Sequence, residues 1–270
     1  MTLPAAMVPA DADQRPPVVP RHAATVILAR DSTAGIEVFL LRRVAGMAFA
    51  GGMTVFPGGG VDQRDADADV AWAGPPGSWW AERFGCEPAL ARALVCAAVR
   101  ETFEESGVLL AGPDADTVVA DTTAYHADRQ ALVDRDLSLA EFLARHDLLL
   151  RADLLRPWAN WLTPEREPRR YDTRFFLAEL PAGQRADGVT TEADHAGWRR
   201  PLDAVEDWRA GRAGLMPPTW TTLTEIGEFG TVADAMVASR TIHKVVPRLV
   251  RDGAVYRIVL PGDPRYATEN

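Results

Sequence analysis

The sequence predicts a single α/β domain, and three observations carry that prediction. Short runs rich in β-branched and aromatic residues alternate along the chain with stretches of helical periodicity. No linker or shift in composition splits residues 21–270. No internal repeat or heptad pattern is present, and 270 residues suffice for one large domain with sizeable insertions.

The elements follow in order. Residues 1–20 are rich in Ala and Pro and read as a flexible arm. They lack the basic start and apolar core of a signal peptide. Residues 23–29 and 37–41 are apolar runs joined by turn residues at 31–35, a β-hairpin. Residues 53–56 read as a further strand, running into Pro57-Gly58-Gly59-Gly60, where glycine lets the backbone turn sharply and approach a ligand. Residues 62–87 are too long and irregular for a simple connection. They carry Trp72, Trp79 and Trp80 and are expected to be an insertion with short helical content.

Residues 88–105 form one amphipathic helix. Pro88 suits its first turn, and Leu90, Leu94, Ala97 and Ala98 give it an apolar face. Gly107 can take the left-handed conformation that ends it, with Val108 packing back. Residues 129–150 are expected to be helical, as one long helix or two short ones. Residues 158–162 and 170–180 read as strands, broken apart by Pro164 and Pro168. Residues 188–198 hold a strand or its entry. Short helices are expected at 201–210, 219–228 and 232–239, and a closing strand at 255–260.

The formal charge of −9 argues against a nucleic-acid-binding surface, which needs a basic face. Lys244 is the only lysine; the remaining 28 basic residues are arginine, a side chain suited to bidentate phosphate contacts. Two cysteines, Cys86 and Cys96, make neither a disulfide framework nor a zinc site, so a reducing cytoplasm is the expected location. No apolar run is long enough to span a membrane.

The chemistry concentrates in Arg100-Glu101-Thr102-Phe103-Glu104-Glu105-Ser106-Gly107-Val108. At 3.6 residues per turn, Glu101, Glu104 and Glu105 gather beside one helix and repel one another at neutral pH. A bound divalent cation offsets that repulsion, and hard oxygen ligands select Mg²⁺ or Mn²⁺. Arg100, four residues before Glu104, can pair with a carboxylate and orient it.

This stretch resembles the second half of the Nudix box, Arg-Glu-x-x-Glu-Glu-x-Gly followed by an aliphatic residue. The resemblance implies an α/β/α sandwich with a mixed sheet and inserted helical segments. It also implies Glu101, Glu104 and Glu105 as metal ligands, Arg100 as their orienting partner, and a diphosphate-splitting hydrolase.

Two departures stand out. The complete box opens with Gly, five residues and a Glu, then seven residues before Arg-Glu. Eight positions before Arg100 stands Arg92, and the nearest glycine cluster, Gly58 to Gly60, lies about forty residues upstream. The first carboxylate of the box therefore has no counterpart at its usual spacing.

An insertion at this point is itself a resemblance. It is similar to a Nudix branch that includes a peroxisomal coenzyme A diphosphatase of animals. Phe56 to Gly59, Trp161-Leu162-Thr163-Pro164, Arg170 to Phe176 and Pro217-Pro218-Thr219 follow in the order of that branch. The resemblance makes coenzyme A or acyl-coenzyme A the leading substrate class. A nucleotide sugar, dinucleotide or nucleoside triphosphate is the alternative, and a ligand-binding module without turnover is an alternative of another class. The partner is a small diphosphate substrate, not nucleic acid or a membrane, and a homodimer is compatible with the family.

Catalytic candidates are Glu101, Glu104 and Arg100, with Glu101 or Glu104 preferred over Glu105 as general base. Substrate candidates are Arg42, Gly58, Gly59, Arg170, Arg174 and Trp161: Arg42 from a loose resemblance to the motif that coenzyme A hydrolases carry before these glycines, Arg170 and Arg174 for bidentate phosphate contacts, and Trp161 for stacking a base, against a competing role in core packing. Glu192 is a candidate extra ligand or base, and His195 a candidate base. The Trp-rich insertion can serve as a lid or as a contact surface.

Overall fold

The structure, a computed structural model, describes residues 2–4, 18–46, 50–66, 69–165, 167–252 and 255–267. Most of the arm expected over residues 1–20 therefore lies outside the described residues. Of its start, Thr2–Pro4 form strand β1. The chain then runs β2 (Arg21–Ser32), β3 (Gly35–Arg43), β4 (Met53–Val55), β5 (Gly58–Gly60), α1 (Gln63–Ala66), β6 (Trp72–Ala73), α2 (Gly77–Phe84) and α3 (Pro88–Ser106). Next come β7 (Ala111–Gly112), α4 (His126–Val133), α5 (Leu139–Arg145), β8 (Leu149–Arg151), β9 (Leu155–Leu162), β10 (Tyr171–Glu179) and β11 (Ala193–Arg199). The chain closes with α6 (Pro201–Arg209), β12 (Gly214–Leu215), α7 (Pro217–Ile226), α8 (Val232–Val237), β13 (Lys244–Val245), β14 (Arg248–Asp252) and β15 (Val255–Val259).

The hairpin forms as expected, with Ser32 facing Gly35 across a two-residue turn. The Ser32 hydroxyl donates to Gly35 O at 2.8 Å and accepts from Ala34 N at 3.1 Å. Helix α3 covers the predicted span. Gly107 ends it at φ 72°, its N–H donating to Phe103 O at 2.9 Å.

The helical region expected over residues 129–150 is two short helices. Arg135, at φ 64°, breaks the path between them, and Ser138 starts α5 with a reciprocal capping box to Glu141. Its last residues are not helical: β8 pairs with β6 and β7 in a small separate sheet.

The main sheet is mixed, in the order β12-β4-β3-β2-β10-β9-β13, with β11 added on β3 and β5 on β2. Strand β2 lies parallel to β10 over its first nine residues. On its other side it is shared: Ala29 to Ser32 pair with β3, whereas Ala23 to Thr25 pair with β5. The two neighbours part, and the glycine strand fills the gap under α3.

Period-two alternation divides the strands between two cores. Val26, Leu28, Phe39, Leu41, Phe176 and Ala178 face α2, α3, α4 and α5. Ile27, Ala29, Val38, Leu40, Phe175 and Leu177 face α6, α7 and α8. The result is an α/β/α sandwich. The insertion belongs to the first core: Trp80 is fully buried, 6.2 Å from the Phe84 ring and 5.6 Å from that of Phe176. Trp79 lies under the Arg83 guanidinium and Trp72 under that of Arg92. Trp80 is thus part of the packed interior, neither lid nor contact surface.

Replacing a buried tryptophan leaves a cavity as well as losing transfer energy. Trp80→Ala is expected to destabilise the protein by about 3–5 kcal/mol in urea unfolding. A change under about 1 kcal/mol would show that the insertion is peripheral.

Candidate functional site

Arg100, in the C-terminal half of α3, is buried among acceptors. Its Nε and Nη2 donate to the two Asp65 carboxylate oxygens, both at 2.9 Å. Nη2 also donates to Gly60 O at 3.0 Å. Nη1 donates to Glu101 at 2.9 Å and to both Glu104 oxygens at 3.2 Å. One guanidinium therefore joins α1, β5 and two of the candidate ligands.

Asp65 corrects the sequence reading. It lies six positions after Gly59, which is the Gly-x₅-carboxylate opening of the box with Asp in place of Glu. The first half of the box is contiguous, and the extra residues enter after it: residues 66–99, 34 in all, stand where the motif has seven. Arg92, at the usual spacing of that carboxylate before Arg100, instead donates to Val70 O at 2.6 Å. The signal lies in Gly59 to Asp65, masked by the substitution and by the 34 residues that separate it from Arg100.

The three glutamates differ in their anchors. Glu105 is buried and accepts from Gly58 N at 2.7 Å. Glu101 rests on β5, where a Cβ at Gly59 would overlap its carboxylate. That close approach is why glycine is needed at position 59. Burial pushes the Glu101 carboxyl up to about 7, against the pull of Arg100. Burial also raises Glu104, and raises Glu105 well above the usual carboxylate range, the Glu101 charge adding to it.

Three carboxylates thus share a single guanidinium while Glu105 has only a backbone donor, and their charged forms are under-compensated. Among the described residues, no three acidic, histidine or cysteine side chains converge as a ready coordination shell. Glu101 and Glu104 lean on Arg100, and Glu105 leans on Gly58. The donor set still fits a hard divalent cation, which would supply the missing positive charge.

The other predicted site residues separate sharply. Gly58 and Gly59 lie at the carboxylates. Arg42 does not: strand alternation turns it to the opposite side of β3 from Leu41, and it pairs at the surface with Asp194 at 2.6 Å. Its neighbour Arg43 faces the α3 side and meets Glu192 at 3.0 Å. Both Arg43 and Glu192 act on the Glu105 carboxyl, Glu192 raising its pKa and Arg43 lowering it.

Arg170 is buried and committed to the backbone, donating to Thr163 O at 3.1 Å and Val18 O at 2.9 Å. Arg174 is buried against Asp172 at 2.7 Å, which also holds Asn160 and Lys244. Trp161 is buried in the second core. Phosphate contacts from these arginines and base stacking by Trp161 are therefore set aside, because each side chain is already enclosed. His195 is exposed on β11, paired in register with Arg42. Sequence reading also missed Arg43 and Arg129, because nothing local marks an arginine that acts across strands or helices.

Comparison with known proteins agrees with this geometry. Residues 86–226 match the family described as NUDT19 Nudix domain. A putative nudix hydrolase 7 of Caenorhabditis elegans is 30% identical over 261 residues, covering 93% of this chain and 76% of the relative. The human acyl-coenzyme A diphosphatase NUDT19 is 28% identical over 93% of this chain and 81% of its own. The crystal structure of a NUDIX hydrolase from Alicyclobacillus acidocaldarius superposes with a TM-score of 0.73 at 29% identity, covering 83% of this chain and 98% of that one. With the box completed by Asp65 and the sandwich in place, the chain belongs to the Nudix hydrolases, in the family of the NUDT19 Nudix domain.

Proposed function

We propose that this hydrolase splits the diphosphate of coenzyme A or an acyl-coenzyme A, with Mg²⁺ or Mn²⁺ held by Glu101, Glu104 and Glu105. The observation that carries the reading is the cluster of Asp65, Glu101 and Glu104 on Arg100, with Glu105 beside it on Gly58 N and Glu101 against Gly59. The relatives named acyl-coenzyme A diphosphatase support the substrate class. The retained carboxylates speak against a binding module without turnover.

The reaction breaks one phosphoanhydride bond and adds water across it, leaving two phosphate monoesters. A divalent cation, when bound, neutralises phosphate oxygens and acidifies water. The protein's part is orientation. Arg100 fixes the directions of Glu101 and Glu104, Asp65 holds Arg100, and Gly58 N holds Glu105. The β5 glycines bring backbone rather than side chain to the substrate side of the cluster. Glu101 or Glu104 accepts the proton of the attacking water.

Hydrolysis of coenzyme A, acyl-coenzyme A, ADP-ribose, NADH and nucleoside triphosphates, each with Mg²⁺ or Mn²⁺, tests the substrate class. The coenzyme A compounds are expected to show the highest kcat/KM. A clear preference for any other member would assign the site to that substrate instead. Glu104→Gln and Glu105→Gln are each expected to lower kcat by about a hundredfold or more. Activity equal to the parent protein in both would remove these residues from the chemistry. Asp65→Asn keeps the shape but loses the ion pair, and an activity loss of about 10–100-fold is expected in steady-state assays. An unchanged rate would mean that Arg100 does not need its partner.

A further inference from the structure

The C-terminal turn of α3 is also gripped by its backbone. Arg129, on α4, is only 5% exposed. Its Nε donates to Glu104 O at 3.1 Å, and its Nη1 meets the two Asp187 oxygens at 2.9 and 2.8 Å. Its Nη2 donates to Val189 O at 3.2 Å. Asp187 returns along the same path: its backbone N donates to Ser106 O at 2.8 Å, and its side chain accepts from Val189 N at 3.0 Å.

The last carbonyls of a helix have no partners within the helix. Here Glu104 O and Ser106 O are served by Arg129 and by the Asp187 backbone. A guanidinium at this end also faces the negative pole of the helix. Gly107 makes the arrangement possible. A Cβ there would lie 2.8 Å from Arg129 Nη1 and 2.9 Å from Asp187 Oδ2, so this glycine serves the clamp as well as its φ of 72°.

The clamp joins two sides of the carboxylate cluster. One is the helix turn that carries Glu104 and Glu105. The other is the loop after β10, which reaches Glu192 five residues beyond Asp187. Glu192 is itself fastened to the end of β3, its carbonyl accepting from Val44 N at 3.0 Å and its side chain meeting Arg43. Gln184 fixes the same loop from its start, through both backbone groups of Leu109 at 2.8 and 2.9 Å.

We propose that Arg129 and Asp187 are positioning residues for the hydrolysis: their ion pair sets the placement of Glu104 and Glu105 relative to Glu192. Their polar groups are committed to each other and to the backbone. The inference rests on the reading of Glu104 and Glu105 as cation ligands.

The test uses the full chain with Mn²⁺ as probe, reading free Mn²⁺ by electron paramagnetic resonance beside steady-state kinetics. Arg129→Ala and Asp187→Asn are expected to weaken Mn²⁺ binding about tenfold or more and to lower kcat more than they change KM. Arg129→Lys keeps the charge but cannot span three acceptors, so it should fall between Ala and the parent. The double variant Arg129→Ala/Asp187→Asn should be no weaker than Arg129→Ala alone, because both changes remove one interaction.

If Arg129→Ala does not fold, Arg129→Lys and Asp187→Asn carry the test. A lowered Tm with parental Mn²⁺ affinity and kcat in the folded variants would make the pair merely structural and overturn the proposal. Glu104→Gln and Glu105→Gln are measured alongside. If they weaken Mn²⁺ binding while the Arg129 and Asp187 variants do not, only the positioning role fails. If they also bind Mn²⁺ as the parent does, the ligand reading fails and the positioning role with it.

Discussion

The site is organised by one buried guanidinium. Arg100 spends its N–H groups on Asp65, Gly60, Glu101 and Glu104. Charge-assisted bonds of this kind contribute about 1.5–3 kcal/mol each in favourable settings. Removing a partner from a buried ion pair is strongly destabilising, because the remaining charge is left uncompensated. Three elements thus depend on one side chain: the short helix of Asp65, the glycine strand and the end of the long helix. The same interaction leaves the cluster with a surplus of negative charge. The fold accepts that surplus at the place where we propose that a cation and a diphosphate bind.

The glycine strand explains how the cluster can form beside a packed sheet. Strand β2 gives its first residues to β5 and its last to β3, so the sheet opens beneath α3. Side chains in that gap would collide with Glu101, and Gly59 supplies none. The carboxylates therefore sit on backbone, where Gly58 N serves as a donor for Glu105. The geometry comes from a division in strand pairing, to which the glycines are the local response.

The insertion between Asp65 and Arg100 lengthens the box without spoiling it. Its middle residues add β6 to a small sheet with β8 and β7, and its helix α2 puts Trp80 and Phe84 against Phe176. An insert that contributes buried aromatic rings to the main core stays close to the site while leaving both halves of the box at their stations. Loop closure costs little for added length, so a long insertion is tolerated once its own apolar residues find a place.

Much of the fold was legible in the sequence. Short apolar runs between turn residues marked the main strands, and helical spacing with Pro88 and Gly107 set the ends of the long helix within one residue. The motif located Arg100, Glu101, Glu104 and Glu105, because their spacing on one helix is a local property. Partners distant in the chain were not legible. Asp65 meets Arg100 across 35 positions, and Arg129 meets Asp187 across 58. Nor could the sequence tell that Arg170, Arg174 and Trp161 would be enclosed, or that Arg43 rather than Arg42 would face the carboxylates. A strand puts neighbouring residues on opposite faces, and only the packed sheet decides which face holds the site. The sequence by itself determined the carboxylate motif and its arginine; the tertiary structure decided which charges meet, because burial and pairing between distant segments exist only once the chain has folded.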